Sequence, residues 1–423
     1  MKIAYLVHQF FPEYVGGTER ITLNLAQAMQ RAGHNVTVIA HCPVERIGHV
    51  EKKGALFYTH CYEGVPVILF KERRSEGKSF LNLMDGSPLR PLAQDLLKKG
   101  AYDALHIMHG LYTGPFILAA ICKKIPYIVT LTDYFLICYR TNLLNKADEL
   151  CGGPEKGKTC LEKCRFPGIS KEGLTKRYLE GQRILSQAQA VVSPSEFLKS
   201  MIEKEYGDLG IKVIPLGSVL RRANAPIKSY SRNSEIVFGY LGTISPAKGV
   251  HILIQAFRKM PRKNCKLKIY GNAYQHLQYA SDLRHMAAED PRIDFCWGYS
   301  TPQEMADIFR RIDILCFPSL WFEPYGLVLE EAFAGSVPVI ASRIGGVPER
   351  VTDGVNGFMF SPGDASELQS IMEKLAKNPQ RLNAVRERIT TYNTVEEEAF
   401  QYECLYKQAI EGRQKVRSRW SEG

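Results

Sequence analysis

Residues 2–40 read KIAYLVHQFFPEYVGGTERITLNLAQAMQRAGHNVTVIA. Lys2–Val7 is a short, mostly apolar run, as a buried strand requires. Gly16-Gly17 then open a loop. Ile21, Leu25, Ala26 and Met29 recur at helical spacing, and Gly33 stops the helix. Val36–Ala40 is the next apolar run. Strand, glycine loop, helix and strand form a βαβ unit, which implies a parallel sheet.

The same rhythm continues. Apolar runs follow at Ala104–Met108, Tyr127–Leu131, Ala190–Val192 and Ile211–Leu216, and Ser193-Pro194-Ser195 signals a helix start. The rhythm pauses in the polar segment 217–234, which reads as a linker. It restarts at Ile236–Leu241 with the loop Gly242–Gly249 and a helix from Val250. Lys266–Tyr270, Ile293–Cys296, Ile314–Phe317 and Val337–Ala341 are further strands. The last stretch, 396–423, reads as a polar helix with Phe400, Cys404, Leu405 and Ile410 as its apolar positions. It has no strand after it, so it is expected to pack back across the first half. The expected architecture is α/β, with two Rossmann-like domains (1–216 and 235–395) facing an interdomain cleft.

The totals agree with two domains, since 423 residues exceed the roughly 250–300 at which single cores stop growing. The start of the chain is unlike a signal peptide, and no run approaches the roughly 18 apolar residues of a membrane span. Eleven cysteines spread through a long chain suit a reducing cytoplasm better than a disulfide framework. The net charge of +11 is divided among short clusters: Lys71 to Arg74, Lys98-Lys99, Lys123-Lys124, Arg221-Arg222 and Lys415 to Arg419. Nucleic acid, anionic headgroups, phosphorylated substrates and a plain solvated surface are all compatible with it.

In open parallel sheets, ligands sit at the carboxyl ends of the strands, near helix N-termini. The loop Gly242-Thr243-Ile244-Ser245-Pro246-Ala247-Lys248-Gly249 puts a lysine there, although it has neither P-loop nor GxGxxG order. A second anion site is expected in Phe322–Ser342, FEPYGLVLEEAFAGSVPVIAS. Pro324 suits a first helical turn, Gly326 admits close backbone approach, and a helix from near Tyr325 aims its free N–H groups at a phosphate. Glu323 and Glu331 are eight residues apart, at most about 12 Å along a helix. That is the reach from a sugar, past a diphosphate, to a ribose, so the pair suits a nucleotide sugar. Glu330 is expected on a solvated face. Asp353-Gly354 and Asn356-Gly357 carry hairpin-type turn signals.

Together these residues resemble the retaining glycosyltransferases of family 4, of the GT-B fold. The resemblance rests on the E-x7-E pair Glu323 and Glu331, with GGTER, SPSEFLKSM, IPLGS, GTISPAKG and GGVPERVTDGVNGFMF around it. It implies sugar transfer from a nucleotide-sugar donor to a saccharide or lipid-linked acceptor, with retention and no metal cofactor; no D-x-D motif occurs. It implies that Lys248 binds the donor diphosphate, Glu323 the sugar hydroxyls and Glu331 the ribose. Backbone at Tyr325, Gly326 and Leu327 is expected to hold phosphate or sugar oxygens, and Gly16 and Gly17 to lie near phosphate and acceptor. A first-domain histidine approaches the donor sugar. In HIMHG this is assigned to His109, with His106 read as structural. Where the family has an arginine after the glycine of the lysine loop, this chain has Thr243, so Arg343 or a helix N-terminus is expected to help Lys248.

Cys138, Cys151, Cys160 and Cys164 follow Thr132-Asp133-Tyr134 in a first-domain insertion. A structural zinc site, free or redox-active thiols, and ordinary packing are all open readings. The alternatives to glycosyl transfer are epimerisation or phosphorolysis on the same fold, or a zinc-containing nucleic-acid-binding protein. The last has no recognition module to support it. A lipid-linked acceptor would bring a cytoplasmic protein to the inner membrane face.

Overall fold

The computed structural model describes residues 1–44, 46, 48–52, 55–72, 83, 89–164, 170–222, 228–261, 264–273, 276–296, 298 and 301–421. The chain divides into two units, Met1–Pro215 with Val395–Gly423, and Leu216–Thr394. Arg73, Arg74 and residues 223–227 of the expected linker lie outside the described residues.

The strands of the first unit are β1 (Lys2–Val7), β2 (Asn35–His41), β3 (Val50–Lys52), β4 (Ala55–Tyr62), β5 (Val65–Glu72), β6 (Ala104–Ile107), β7 (Tyr127–Thr130), β8 (Ala190–Ser193) and β9 (Lys212–Val213). Its helices are α1 (Gly17–Arg31), α2 (Leu89–Gly100), α3 (Gly114–Lys123), α4 (Lys158–Lys163), α5 (Lys171–Ser186) and α6 (Glu196–Tyr206). The described strands form one sheet in the order β3-β4-β5-β2-β1-β6-β7-β8-β9. β1 and β2 run parallel from Lys2↔Asn35 to Val7↔Ala40, as the opening βαβ pattern requires. At one edge β4 is antiparallel to both β3 and β5, so the sheet is mixed. The Ser-Pro-Ser signal is a cap: Ser195 Oγ accepts from Leu198 N at 3.1 Å.

The second unit holds β10 (Ile236–Leu241), β11 (Cys265–Tyr270), β12 (Ile293–Cys296), β13 (Ile314–Phe317), β14 (Val339–Ser342) and β15 (Gly357–Phe360). Its helices are α7 (Val250–Arg258), α8 (Leu277–Ala287), α9 (Pro302–Arg311), α10 (Leu327–Ala334), α11 (Ala365–Lys377) and α12 (Arg381–Glu387). The sheet order is β12-β11-β10-β13-β14-β15, with every pair parallel. Side chains alternate across it: Phe238 and Tyr240 enter one core with α7, α8 and α11, and Leu241 enters another with α9 and α10. A capping box starts α9, with Glu304 N donating to Thr301 Oγ1 at 3.2 Å and Thr301 N to Glu304 Oε2 at 3.0 Å.

Three expectations are corrected. The turn signals at 353–357 do not make a hairpin; they lead into β15, which joins β14 in parallel. The segment 217–234 is not a free linker where it is described. Ser218 N donates to Asn393 O at 2.8 Å, Leu220 is buried, and Tyr230 Oη donates at 2.7 Å to the fully buried Asp313. The C-terminal helix (Val395–Ser421) turns Phe400 outward, at 66% exposure, and buries Ala399, Tyr402, Leu405, Tyr406 and Ala409.

The tyrosines of that helix face inward because their hydroxyls find partners. Tyr406 Oη donates to Tyr5 Oη at 3.3 Å, and His106 Nδ1 lies 2.5 Å from Tyr406 Oη. His106 Nε2 lies 2.6 Å from Thr130 Oγ1, which lies 2.7 Å from Tyr402 Oη. One polarity satisfies the chain: Tyr402 donates to Thr130, Thr130 to His106 Nε2, and His106 Nδ1–H to Tyr406. His106 is therefore a neutral structural imidazole, and burial pushes it down to about 3. Its ordinary value is 6.5, so its contribution to stability is complete above that pH and is lost as pH falls toward the folded value. Urea unfolding of wild type and His106→Gln checks this. The stability gap between them should narrow by about 2 kcal/mol from pH 7 to pH 5, at about 1.4 kcal/mol per unit below 6.5; parallel losses would contradict it.

Candidate active site

Three loops of the second unit meet where β10, β13 and β14 end. The loop after β10 makes a short 3₁₀ turn, Pro246–Lys248, closed by Gly249 at φ 68°. A Cβ on Gly249 would stand 1.9 Å from Pro318 O, so only glycine lets this loop lie against the one after β13. Leu320 N donates to Ala247 O at 2.8 Å and ties the two together. On the far side, Gly345 has φ 60°, and a Cβ there would stand 2.4 Å from Glu323 O. Gly346 N donates to that same carbonyl at 2.8 Å.

This packing brings Lys248 to Glu323. The Lys248 ammonium donates to Glu323 Oε1 at 2.6 Å. Trp321 Nε1 donates to the same oxygen at 2.7 Å, and Ser319 Oγ also donates to it. The Lys248 Nζ lies 5.0 Å from the Trp321 ring centroid and 5.8 Å from that of Phe317. The Glu323 side chain is 4% exposed and that of Lys248 26%, so a buried carboxylate meets a cation with access to solvent. Thr243 is exposed on the same loop, where its carbonyl accepts from Tyr240 Oη at 2.7 Å. Arg343 is exposed at the end of β14.

Helix α10 begins at Leu327 behind Gly326, whose φ of 91° is left-handed. That start is two residues later than Tyr325. Glu331 is buried on α10, as is its neighbour. Glu330 is not on a solvated face, as expected from the sequence, but fully buried. Its Oε1 accepts from Tyr325 Oη at 2.8 Å and from Arg350 Nε, and its Oε2 from Asn393 N at 3.0 Å. Burial and the Glu330 charge push the Tyr325 hydroxyl up, so it remains a donor. The Tyr325 side chain is thus part of the fold, which leaves its backbone for any ligand.

In the first unit, Gly16 caps α1 with extended backbone and Gly17 opens the helix. His109 Nδ1 accepts from Leu111 N at 3.3 Å, so its Nε2–H donates to Asp133 Oδ2 at 3.1 Å. Its ring stacks on Phe135 and lies 4.0 Å from the His8 ring, centroid to centroid. His8 is held well below its ordinary range by burial, then by His109 and His41. Burial pushes Glu19 up, and its Oε1 lies 3.5 Å from His8 Nε2. Sequence reasoning singled out neither His8 nor Glu19.

Cys138, Cys151, Cys160 and Cys164 are all buried. Burial, then the other three sulfurs, pushes the Cys160 thiol up to about 12, and Cys160 packs with Leu174. Among the described residues no group of three or more His, Cys, Asp or Glu is arranged to hold a metal ion. No described helix is long and apolar enough to cross a membrane.

Two α/β units, with a lysine–carboxylate pair at the carboxyl ends of the second sheet, define a glycosyltransferase of the GT-B fold. The chain belongs to glycosyltransferase family 4: the model of "Glycosyltransferase Family 4" matches residues 15–222 and that of "Glycosyl transferases group 1" residues 222–392. The chain is 28% identical over 197 residues to lipopolysaccharide 1,2-N-acetylglucosaminetransferase of Salmonella typhimurium, a match that spans 42% of this chain and half of that relative. It is 23% identical to glycogen synthase of Mycobacterium tuberculosis over 92% of this chain and 91% of that one. Anabaena Alr3699/HepE, solved with UDP and glucose, superposes with a TM-score of 0.67 at 18% identity, over 95% of this chain and 98% of that one. Sucrose-phosphate synthase of Thermosynechococcus elongatus superposes with a TM-score of 0.69 at 18% identity, over 97% and 99%.

Glu330 and Glu323 separate by experiment. Glu330→Ala removes a buried anion that holds Tyr325, Arg350 and Asn393, and should cost on the order of 3 kcal/mol in urea unfolding. Glu323→Gln keeps its shape and its neutral donors and should cost less than about 1 kcal/mol. Equal losses would contradict the division.

Proposed function

We propose that this glycosyltransferase takes its sugar from a nucleotide-sugar donor, retains the anomeric configuration and requires no metal ion. The observation that carries this reading is the convergence of Lys248, Trp321 and Ser319 on the one oxygen of Glu323, where the second sheet's strands end. Lys248 is the cation for the donor diphosphate, and Glu323 the acceptor for sugar hydroxyls. Glu331 takes the ribose hydroxyls, and backbone N–H groups at Tyr325, Gly326 and Leu327 take phosphate or sugar oxygens. Thr243 lines the diphosphate side without adding charge, so Lys248 carries more of the leaving-group charge. Fixed cations and helix N-termini do their electrostatic work where charge develops on the departing phosphate.

Retention follows in this reading from front-face transfer. The departing diphosphate takes the proton of the acceptor hydroxyl as that hydroxyl attacks from the same face. The sugar–phosphate bond breaks, the new glycosidic bond forms, and the proton leaves on the nucleoside diphosphate. Glu323, bound by three donors, serves as a hydroxyl grip rather than a nucleophile. By the family resemblance, His109, held in one tautomer by Leu111 and Asp133, is the first unit's residue for the reacting sugar, and Gly16 and Gly17 are its residues for phosphate and acceptor. Acceptor binding is assigned to the first unit. A saccharide on a lipid phosphate fits the exposed Lys98, Lys99, Lys123 and Lys124, which would also favour an anionic membrane surface.

A thermal-shift screen of UDP, GDP, ADP and dTDP sugars identifies the donor, because a ligand of the folded state raises apparent stability. With that donor, Lys248→Ala and Glu323→Ala should each lower kcat/KM by roughly 10²–10³-fold. EDTA should leave the rate unchanged, and the product's anomeric proton should show the donor's configuration by NMR. Normal transfer by both variants would sink the site assignment, and an inverted product would sink retention.

A further inference from the structure

Trp321 touches both charges of the site. Its indole N–H donates to Glu323 Oε1 at 2.7 Å, and its ring centroid lies 5.0 Å from the Lys248 ammonium. Lys248 itself donates to that same Oε1 at 2.6 Å. Resting on the donor-site reading above, this geometry poses a problem. A donor diphosphate must draw Lys248 toward itself, so Glu323 loses its charged partner at the moment it must present lone pairs to the sugar. Freed, the carboxylate would sample other rotamers, and ordering it again would cost binding free energy.

We infer that Trp321 is the positioning residue that keeps Glu323 in place while Lys248 exchanges the carboxylate for the diphosphate. The indole has one N–H and no acceptor, so it bonds the carboxylate and does not compete for the diphosphate as a second cation would. It is a stiff side chain two residues from Glu323 on the same loop, and that loop is locked by Leu320 N to Ala247 O and by Gly346 N to Glu323 O, both 2.8 Å. Ser319 Oγ is the second neutral donor to Oε1. Oε1 is thereby held, and the remaining lone pairs of the carboxylate, about four sites in all, serve sugar hydroxyls. The ring face meanwhile offers Lys248 a partner it keeps through the exchange.

The consequence is selective. Trp321 matters for the sugar and hardly at all for the nucleoside diphosphate, which makes no demand on Glu323. Calorimetric titration of wild type and Trp321→Phe tests this, using the nucleotide sugar chosen by the donor screen and its parent nucleoside diphosphate. Phenylalanine keeps an aromatic face for Lys248 and removes the N–H. The nucleotide sugar should bind roughly three- to tenfold more weakly to the variant, and the nucleoside diphosphate within about twofold of wild type. No change in either affinity, or an equal loss of both, would overturn the role of Trp321 while wild-type binding upheld the donor site. Wild type that binds no nucleotide sugar would overturn both.

If Trp321→Phe does not fold, the indole ¹⁵N–¹H spectra of wild type and Glu323→Gln carry the test. One indole proton should resonate downfield in wild type, shift upfield in Glu323→Gln, and remain downfield when the nucleotide sugar binds wild type. Movement to a solvent-like position on binding would overturn the inference.

Discussion

Lys248 and Glu323 stand 75 residues apart in sequence and 2.6 Å apart in space. That distance depends on backbone approaching backbone. Gly249 lets the lysine loop pass against Pro318, and Gly345 lets the loop after β14 pass against Glu323. The three loops leave parallel strands at the same edge of one sheet, where helix N-termini also gather. A buried carboxylate is costly unless its lone pairs are used. The second unit meets that cost with one cation, Lys248, and two neutral donors, Trp321 and Ser319.

A different solution serves Glu330, on the same short segment. Its partners Tyr325, Arg350 and Asn393 all belong to the fold. Two carboxylates seven residues apart thus stand in different surroundings, set by what each side chain meets. The first unit shows the same economy in its histidines. His106, fully enclosed and bonded at both nitrogens, holds the C-terminal helix. His109, three residues on, has its tautomer set by Leu111 and Asp133 and lies among His8, Glu19 and Phe135.

The βαβ rhythm and the glycine loops were legible in the sequence because each is local. So was the pairing of Lys248 with strand ends, since the carboxyl edge of a parallel sheet is where ligands gather. What was not legible came from long-range partners. Glu330 looked like a surface residue because Arg350 and Asn393 follow 20 and 63 residues later. The burial of Tyr406 and Tyr402 depends on His106 and Thr130, 300 and 272 residues away. Trp321 and Ser319 left only a weak trace, two and four residues before Glu323 in an irregular loop. The strand β15 was hidden behind turn signals that suit a hairpin but here precede a parallel strand.

The central claim is that Lys248 and Glu323 part company when the donor binds. A crystal structure of the protein with its nucleotide sugar tests this most directly. The account predicts the diphosphate within hydrogen-bond distance of the Lys248 ammonium, sugar hydroxyls donating to the Glu323 carboxylate, and Trp321 Nε1 still on Oε1. A bound nucleotide sugar beside an intact Lys248–Glu323 pair, with its sugar remote from Glu323, would contradict it.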